Sequence, residues 1–342
     1  MKILKIIGKV LAVLGVTVAA LLVLCIIVVY IMEKGPSQSA KVLFVRSVNE
    51  TSRMGFLGSM FLSEEEVQEI MTSSDMVELA EGETSNTELI KIDEQAVEKD
   101  IEIIDVTGGS FKGKLMIVHD PSKVFCGTIG EFGEFQGTTV QGMVDRYKDM
   151  GYSIIGGVNG GDFIDNGANS SFTARPLGAV YSEGQVYVMD DFGDEPYHLC
   201  GFTKDNVFFI GNITLAQAEE MGVRDAIYCV HNTGPFLVKD GEALVNEVPN
   251  SATYGGGKNP RTAIGQREDG AVLLLVVDGR QANSLGATFK DLAYTMLEYG
   301  AVNAAAMDGG TSSQMIYQDE IINHPYSPTG PRKCPTSWLV ME

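Results

Sequence analysis

The chain has 342 residues, of which 45 are acidic and 25 are basic, so its formal net charge is −20 at pH 7. Because phosphate binding needs a basic face, this balance argues against a nucleic-acid partner. The glycine pairs match neither the G-x-G-x-x-G nor the G-x-x-x-x-G-K-[ST] pattern, so a nucleotide-binding function is only weakly supported. The length suits one large domain with accessory segments.

The N-terminal segment is apolar enough to cross a membrane. Val10–Met32 contains no charged residue and follows Lys2, Lys5 and Lys9. About 20 apolar residues span a bilayer, and flanking lysines keep that end in the cytoplasm. We therefore expect residues 1–35 to form a cytoplasmic tail and a transmembrane signal anchor, with the C-terminal domain outside the cytoplasm. A cleaved signal peptide is the alternative, although its apolar core is usually about 7–15 residues long.

A separate region follows the anchor. Ser63 precedes three glutamates, which is typical of a helix start. The stretch from Ser73 to Glu102 is acidic and polar with few aromatic residues. We interpret residues 36–104 as a juxtamembrane stalk or capping region, with a specific docking element as the alternative, and residues 105–342 as the main domain.

A strand–helix–strand unit organises the C-terminal half of the chain. Ala271–Val277 is an almost unbroken apolar run that ends at Asp278. A capped amphipathic helix follows, and a second apolar run, Ala301–Met307, ends at Asp308. Such crossovers make parallel strands, so Asp278 and Asp308 should lie at one sheet edge, whether the strands are adjacent or separated by one other.

Two arginines are predicted at the same edge. Residues 268–270 read Glu-Asp-Gly, a turn signal, so the segment before them should fold back and place Arg261 opposite Asp278. Arg280 lies two residues beyond Asp278. Two carboxylates and two guanidinium groups form a set that suits an anionic sugar or a phosphodiester.

An earlier segment repeats the helix–strand pattern. Gly137–Gly161 aligns without gaps on Gly286–Gly310, and Asn159 falls on Asp308. Both segments end in paired glycines, which permit close backbone approach to a ligand. We expect both loops to line one cleft, with Asn159 as a neutral counterpart of Asp308; the alternative is that any capped helix before a buried strand gives this pattern. The paired glycines are Gly160 and Gly161 in the first segment and Gly309 and Gly310 in the second.

Other segments indicate hairpins. Turn signals lie within 177–188, 203–210 and 234–245. Combined with the two helix–strand units, they predict an α+β or mixed α/β fold: a mixed sheet with two helix–strand–(Asn/Asp)-Gly-Gly units and several hairpins, preceded by one transmembrane helix.

Four motifs in order resemble those of the phosphodiester glycosidase family, the family of the mannose 6-phosphate uncovering enzyme. They are NGG-x-F at Asn159–Phe163, PRTAIG at Pro260–Gly265, DGR at Asp278–Arg280 and DGG-x-S at Asp308–Ser312. The resemblance covers roughly residues 105–342. It implies hydrolysis of a sugar 1-phosphodiester, and bacterial relatives are often labelled exopolysaccharide biosynthesis proteins.

Two residues depart from the family pattern. Asp162 stands where an apolar or aromatic residue is common, and Thr311 stands where glycine is common. Asp162 is either a third carboxylate in the cleft or a turn residue.

The motifs imply a division of roles. Negative charge builds on the phosphate as the C–O bond breaks, so the resemblance assigns Arg261 and Arg280 to the phosphate. Asp278 and Asp308 then serve the anomeric carbon, a water molecule or the sugar hydroxyls. Structural roles are the alternatives, such as an Asp278–Arg261 ion pair or a loop cap at Asp308. The catalytic candidates are Asp278, Asp308 and Arg261, and the substrate-binding candidates are Asn159, Gly160, Gly161, Arg280, Gly309, Gly310 and Ser312.

No cofactor is predicted. Clustered oxygen ligands would suit Ca²⁺, but no EF-hand spacing supports such a site. Cys126, Cys200, Cys229 and Cys334 are spaced too widely for a zinc site, and they are either disulfide-bonded or buried thiols. His231 opens a candidate cleft loop, with a structural role as the alternative.

These observations favour a membrane-anchored, extracytoplasmic phosphodiester glycosidase. Its partners would be a carbohydrate or sugar-phosphate substrate of the cell envelope or an exopolysaccharide, and the lipid bilayer through residues 10–32. Two alternatives remain: a glycosidase or transferase acting on a phosphate-free glycan, and a non-catalytic glycan-binding protein.

Overall fold

The structure is a computed structural model that describes residues 2–51, 54–72, 76–92, 101–165, 172–231, 233–245, 256–327 and 330–342. The chain divides into two compact units, residues 1–73 with 250–253 and residues 74–249 with 254–342. This division does not test the expected domain boundary at residue 104, which stays a prediction about the roles of the two regions.

The first unit is helical. It consists of α1 (Lys2–Lys34), α2 (Gln38–Asn49) and α3 (Glu64–Thr72). Residues 6–34 of α1 are long and apolar enough to cross a membrane, and their side chains are largely exposed. The predicted helix start is confirmed, because the Ser63 hydroxyl accepts the Glu66 amide at 3.1 Å at the beginning of α3.

The second unit contains all of the strands that the structure describes. The strands are β1 (Glu102–Thr107), β2 (Lys112–Val118), β3 (Val124–Thr128), β4 (Ile154–Asn159), β5 (Ala179–Ser182), β6 (Gln185–Val188), β7 (Tyr197–Thr203), β8 (Phe208–Ile213), β9 (Val223–Tyr228), β10 (Phe236–Lys239), β11 (Glu242–Ala243), β12 (Arg261–Arg267), β13 (Val272–Val277), β14 (Ala301–Ala306), β15 (Met315–Tyr317), β16 (Glu320–Ile321) and β17 (Thr336–Met341). The helices are α4 (Val140–Asp149), α5 (Leu215–Glu220) and α6 (Phe289–Glu298).

These strands form three sheets. Their orders are β1-β2-β13-β12-β14-β10-β11, β16-β15-β4-β17-β3 and β6-β5-β9-β7-β8. The three predicted hairpins are present as β5–β6, β7–β8 and β10–β11.

The two aligned segments fold alike. Helices α4 and α6 begin with the hydroxyls of Thr139 and Thr288 accepting backbone amides, and Asp291 completes the second capping box. Beyond the helices, Gly151 and Gly300 adopt φ angles of 97° and 87°, a backbone conformation that favours glycine. The predicted helix starts and stops are therefore confirmed in both segments.

Each aligned segment belongs to a larger β–α–β unit. β13 and β14 are parallel and separated by β12, which is antiparallel to both. In the same way β3 and β4 are parallel and separated by β17. The predicted fold class is confirmed, with one difference from the expected mixed sheet. All neighbouring strand pairs within the named sheets are antiparallel, because a strand from elsewhere in the chain lies between the parallel strands of each unit.

The core explains why some strands read as continuous apolar runs. Every residue of β13 is buried, since α6 packs on one side of its sheet and the other two sheets contribute to the core on the other side. The core on the side away from α6 contains Leu274 from the first sheet, Trp338 from the second and Phe202 from the third. The sheets are thus held in one unit around shared apolar contacts.

A buried glutamine links two of the sheets. The side-chain oxygen of Gln266 in β12 accepts the Phe208 amide of β8 at 2.6 Å. Its side-chain nitrogen donates to the carbonyls of Asn206 at 3.0 Å and Gly270 at 2.8 Å. The Phe208 amide and the Gly270 carbonyl belong to buried residues, where an unsatisfied polar group is costly.

We predict that Gln266→Ala lowers the free energy of unfolding by about 2–4 kcal/mol, because it leaves buried backbone groups without partners. Urea denaturation of the full chain in a mild detergent measures the change. Gln185→Ala, at an exposed position of β6, is the matched control. Equal stability of the two variants would show that Gln266 does not link the sheets energetically.

Candidate functional site

The two Gly-Gly loops meet at the ends of β4 and β14. The side-chain nitrogen of Asn159 donates to the Asp308 carbonyl at 2.7 Å, and the Asp308 amide donates to the Gly160 carbonyl at 3.2 Å. Two segments that are distant in the chain are thereby joined by a pair of hydrogen bonds. The junction brings together the loops that the sequence repeat aligned.

Asn159 is fully buried and its side chain is used within the protein. Its oxygen accepts the Thr262 hydroxyl at 2.8 Å and the Gln314 amide at 3.3 Å, while its nitrogen holds the Asp308 carbonyl. The geometry therefore supports a role in positioning the Asp308 loop more than direct contact with a ligand.

Asp308 is a partly buried carboxyl group at this junction. Burial raises its pKa to about 6, although a hydrogen bond from Ser312 and the positive charge of Arg332 oppose the rise. Ser312 lies in a single helical turn, Gly310–Ser312, directly after the loop. The turn places its hydroxyl next to the carboxylate that it stabilises.

Asp162 shares the site with Asp308. Burial raises the pKa of Asp162 to about 7, and the nearby Asp308 charge adds to the rise. The Thr233 hydroxyl donates to the Asp162 carboxylate at 2.8 Å and, with Arg261, opposes the shift. Asp162 was expected to be either a third carboxylate of the site or a turn residue, and these contacts favour the first alternative. Neighbouring carboxyl groups of this kind resist double ionisation, and the raised pKa values bring both groups closer to neutral pH.

Arg261 lies in the wall of the same site. Its guanidinium carbon is 3.9 Å from the centre of the Phe289 ring, and its terminal nitrogen donates to the Gly257 carbonyl at 2.8 Å. A Cβ atom added to Gly309 would lie 3.7 Å from another terminal nitrogen of this arginine. The cation is therefore fixed close to the Asp308 loop.

Asp278 is buried and directed at a different loop. Arg261 pairs in register with Val277, one residue from the predicted partner. The Asp278 carboxylate accepts the Asn323 side-chain nitrogen at 3.0 Å and the His324 amide at 2.9 Å. These contacts support a role in fixing the segment at 323–324.

Arg280 stands between Asp278 and the Asp308 loop. It has a φ of 58°, and its Nε donates to the Asn259 side-chain oxygen at 3.1 Å. A Cβ atom added to Gly310 would lie 3.3 Å from its guanidinium group. Arg280 is half-buried, so it lines the approach to the candidate carboxylates.

Two residues, Arg332 and Thr233, enter the site without a local sequence signal. Arg332 forms an ion pair with Asp165, lies 5.6 Å from the Phe163 ring centre and acts electrostatically on Asp308. Thr233 reaches Asp162 from the loop after β9. Their contacts depend on segments far apart in the chain, so only an alignment of relatives could have indicated them.

His231 begins the turn that carries Thr233. Its ring nitrogen Nδ1 lies 3.3 Å from the Glu78 carboxylate. The Thr233 and Gly234 amides both donate to the Val230 carbonyl, at 3.0 and 2.7 Å, and close the turn. This arrangement favours the structural alternative for His231, which holds one side of the turn while Thr233 contacts Asp162 on the other.

The cysteines outside α1 are buried free thiols. Burial raises the pKa of Cys334 to about 12, which keeps this thiol protonated beside the site. Within the described residues, no group of three or more His, Cys, Asp or Glu side chains is arranged to hold a metal ion.

The raised carboxyl pKa values predict a pH-dependent stability. Asp162 binds its proton more tightly in the folded chain, so its contribution is present at low pH and is lost as pH rises from about 4 towards 7. The unfolding free energy of the wild type, relative to Asp162→Asn, should therefore fall across this range in urea denaturation. Asp319→Asn should leave the difference nearly flat above about pH 4 and give the opposite slope only below it, because a hydrogen bond from Lys148 lowers the pKa of Asp319. A flat difference for Asp162→Asn would contradict the assignment.

Comparisons with known proteins place this geometry in a family. The chain is 40% identical over 91 residues to the SPbeta prophage-derived uncharacterized protein YomE of Bacillus subtilis (strain 168), a match over 27% of this chain and 14% of that protein. The chain thus spans a small part of that relative's length.

A solved structure shows the same fold over most of the chain. It is the zebrafish N-acetylglucosamine-1-phosphodiester alpha-N-acetylglucosaminidase catalytic domain, auto-inhibited by its pro-peptide, with a TM-score of 0.56 and 21% identity over 76% of this chain and 88% of that one. The model of the phosphodiester glycosidase family matches residues 152–341, more than half of the sequence. The protein belongs to the phosphodiester glycosidase family.

Proposed function

We propose that this protein is a membrane-anchored, extracytoplasmic hydrolase that cleaves a sugar 1-phosphodiester. The observation that carries the proposal is the junction of the two Gly-Gly loops, where Asp308 and Arg261 lie close enough to Asp162 to act on its charge. A carboxyl pair suits bond cleavage at an anomeric carbon, and guanidinium groups suit the charge of a phosphate.

The two carboxyl groups would divide the chemistry. The ionised member faces the anomeric carbon, either as the nucleophile or as the base that takes a proton from water. The C–O bond to the phosphate breaks, its electron pair passes to the phosphate oxygen, and water supplies the hydroxyl of the released sugar. The protonated member supplies a proton where the leaving oxygen needs one.

The arginines would stabilise the leaving phosphate. Negative charge grows on the phosphate as the bond breaks, and a fixed cation stabilises that charge without reorganising. Arg280 borders Gly310 and Arg261 borders Gly309, so both stand beside the Asp308 loop. Arg332 adds a third positive charge near Asp308.

The apolar part of α1 supports an anchored location. With the N-terminal lysines inside, the second unit would lie outside the cytoplasm, where a cell-envelope glycan or an exopolysaccharide is the accessible substrate. A phosphate-free glycoside is the second candidate substrate, because the carboxyl pair alone would also serve ordinary glycoside hydrolysis.

We predict that Asp308→Asn and Asp162→Asn each lower kcat on the preferred sugar 1-phosphodiester by at least about 100-fold, since each removes a group that holds or moves a proton. The assay uses the full chain in detergent and a panel of methyl phosphodiesters of N-acetylglucosamine, glucose, galactose and mannose. Asp319→Asn, which changes an exposed acid, is the matched control.

Arg261→Gln should also reduce turnover, and far-UV circular dichroism shows whether it remains folded. Arg267→Ala, which removes an exposed ion pair with Asp269, is the control arginine change. Wild-type turnover in the Asp308 and Arg261 variants would overturn the site assignment. A preference for simple glycosides over phosphodiesters would favour the second candidate.

We predict that Thr233→Val moves the alkaline limb of the pH–rate profile to higher pH. The Thr233 hydroxyl lowers the pKa of Asp162, so its loss lets that pKa rise further and keeps the acid protonated at higher pH. The pH dependence of kcat/KM measures the change. Thr72→Val, at an exposed position in α3, serves as the control. An unmoved or acid-shifted limb would contradict Asp162 as the protonated member.

A further inference from the structure

A second concave surface lies beyond Asp278. It is an open pocket of about 710 Å³, within the size range of small-ligand sites, and its lining includes Gln281, Ile321, His324, Pro325 and Tyr326. None of the lining residues that the structure describes is acidic, although the chain carries a net charge of −20. An acid-free surface is compatible with an anionic substrate that reaches across it.

The pocket is connected to the candidate cleft by short contacts. Asp278 accepts the Asn323 side chain and the His324 amide, and Asn323 also donates to the Ser313 carbonyl at 3.1 Å. Ser313 directly follows the helical turn that carries Ser312. The pocket and the Asp308 loop are therefore positioned by the same small network.

The pocket surface is held in place before any ligand binds. The Gln281 side-chain nitrogen donates to the His324 carbonyl at 2.6 Å, while the His324 amide is held by Asp278. Tyr326 and Ile321 are 44% and 39% exposed, so an aromatic ring and an aliphatic side chain face outward from a fixed backbone. Apolar faces beside amide and imidazole groups match a sugar ring, which has C–H faces and hydroxyl edges.

The spacing suits the two halves of one substrate. Asp278 and Asp308 follow parallel strands that are separated by β12, so they lie about 10 Å apart, two strand spacings. Arg280 occupies the interval, with its guanidinium group beside Gly310 and with Gln281 as its chain neighbour. Because Gln281 lines the pocket and directly follows Arg280, a phosphate bound at Arg280 would lie next to the pocket.

We propose that this pocket binds the alcohol half of the phosphodiester as a saccharide ring, with Tyr326 as a specificity-determining residue. The inference rests on the proposed function and adds the position of the leaving half. The sugar whose anomeric bond breaks lies at Asp162 and Asp308, the phosphate lies at Arg280, and the second sugar packs on Tyr326. A substrate with a small alcohol group cannot use this contact.

The test compares two phosphodiesters that share the best sugar 1-phosphate of the panel. One carries methanol as its alcohol and the other carries the 6-hydroxyl of glucose. In the full chain, Tyr326→Ala should lower kcat/KM for the glucose ester by roughly three- to tenfold, the range that an aromatic packing contact contributes. The same change should leave the methyl ester within about twofold, because binding energy from a remote group acts only when that group is present.

Two further variants separate the outcomes. Tyr326→Phe should retain the preference for the glucose ester. Tyr294→Ala is the matched control, because Tyr294 is similarly exposed (42%) but lies on α6, outside the pocket lining. It should change kcat/KM for neither ester. Equal losses on both esters, or no loss on the glucose ester, would overturn the pocket assignment while leaving the proposed function intact. Absence of turnover on every phosphodiester would contradict the proposed function and the inference together.

Discussion

The arrangement of the site depends on hydrogen bonds between the two β–α–β units, because polar groups at their junction need partners. The loop after β4 is buried and the loop after β14 is partly buried, so their backbone groups need hydrogen-bond partners. The Asn159 side chain and the Gly160 carbonyl provide partners for Asp308. Any shift of one unit against the other would break these hydrogen bonds in a buried environment, where the loss is costly. The position of Asp308 is therefore set by both units.

This constraint also explains the electrostatics of the cleft. Burial raises the pKa values of both Asp162 and Asp308, and the charge of Asp308 raises that of Asp162 further. The positive charge of Arg261 offsets part of the repulsion at Asp162. The fold thus maintains carboxyl groups with raised pKa values, a feature that is common at functional sites.

The sequence predicted the local features because local rules govern them. Apolar runs, N-caps and stop glycines gave both helix–strand units, and their alignment paired Asn159 with Asp308. The insertion of β17, the last strand of the chain, between β3 and β4 has no local signal, because strand pairing over such a distance depends on the whole core. Thr233 and Arg332 were missed for the same reason. The sequence alignment paired Asn159 with Asp308, but it could not show that the Asn159 side chain is already hydrogen-bonded to Asp308, Thr262 and Gln314.

A crystal structure of the full chain with a bound sugar 1-phosphate tests the central claim most directly. The account predicts that the anomeric carbon lies between the carboxylates of Asp162 and Asp308, with the phosphate directed towards Arg280 and the Asn159 contacts unchanged. A sugar phosphate bound on another face, or one that occupies the cleft only after the Asn159–Asp308 hydrogen bond has opened, would contradict it.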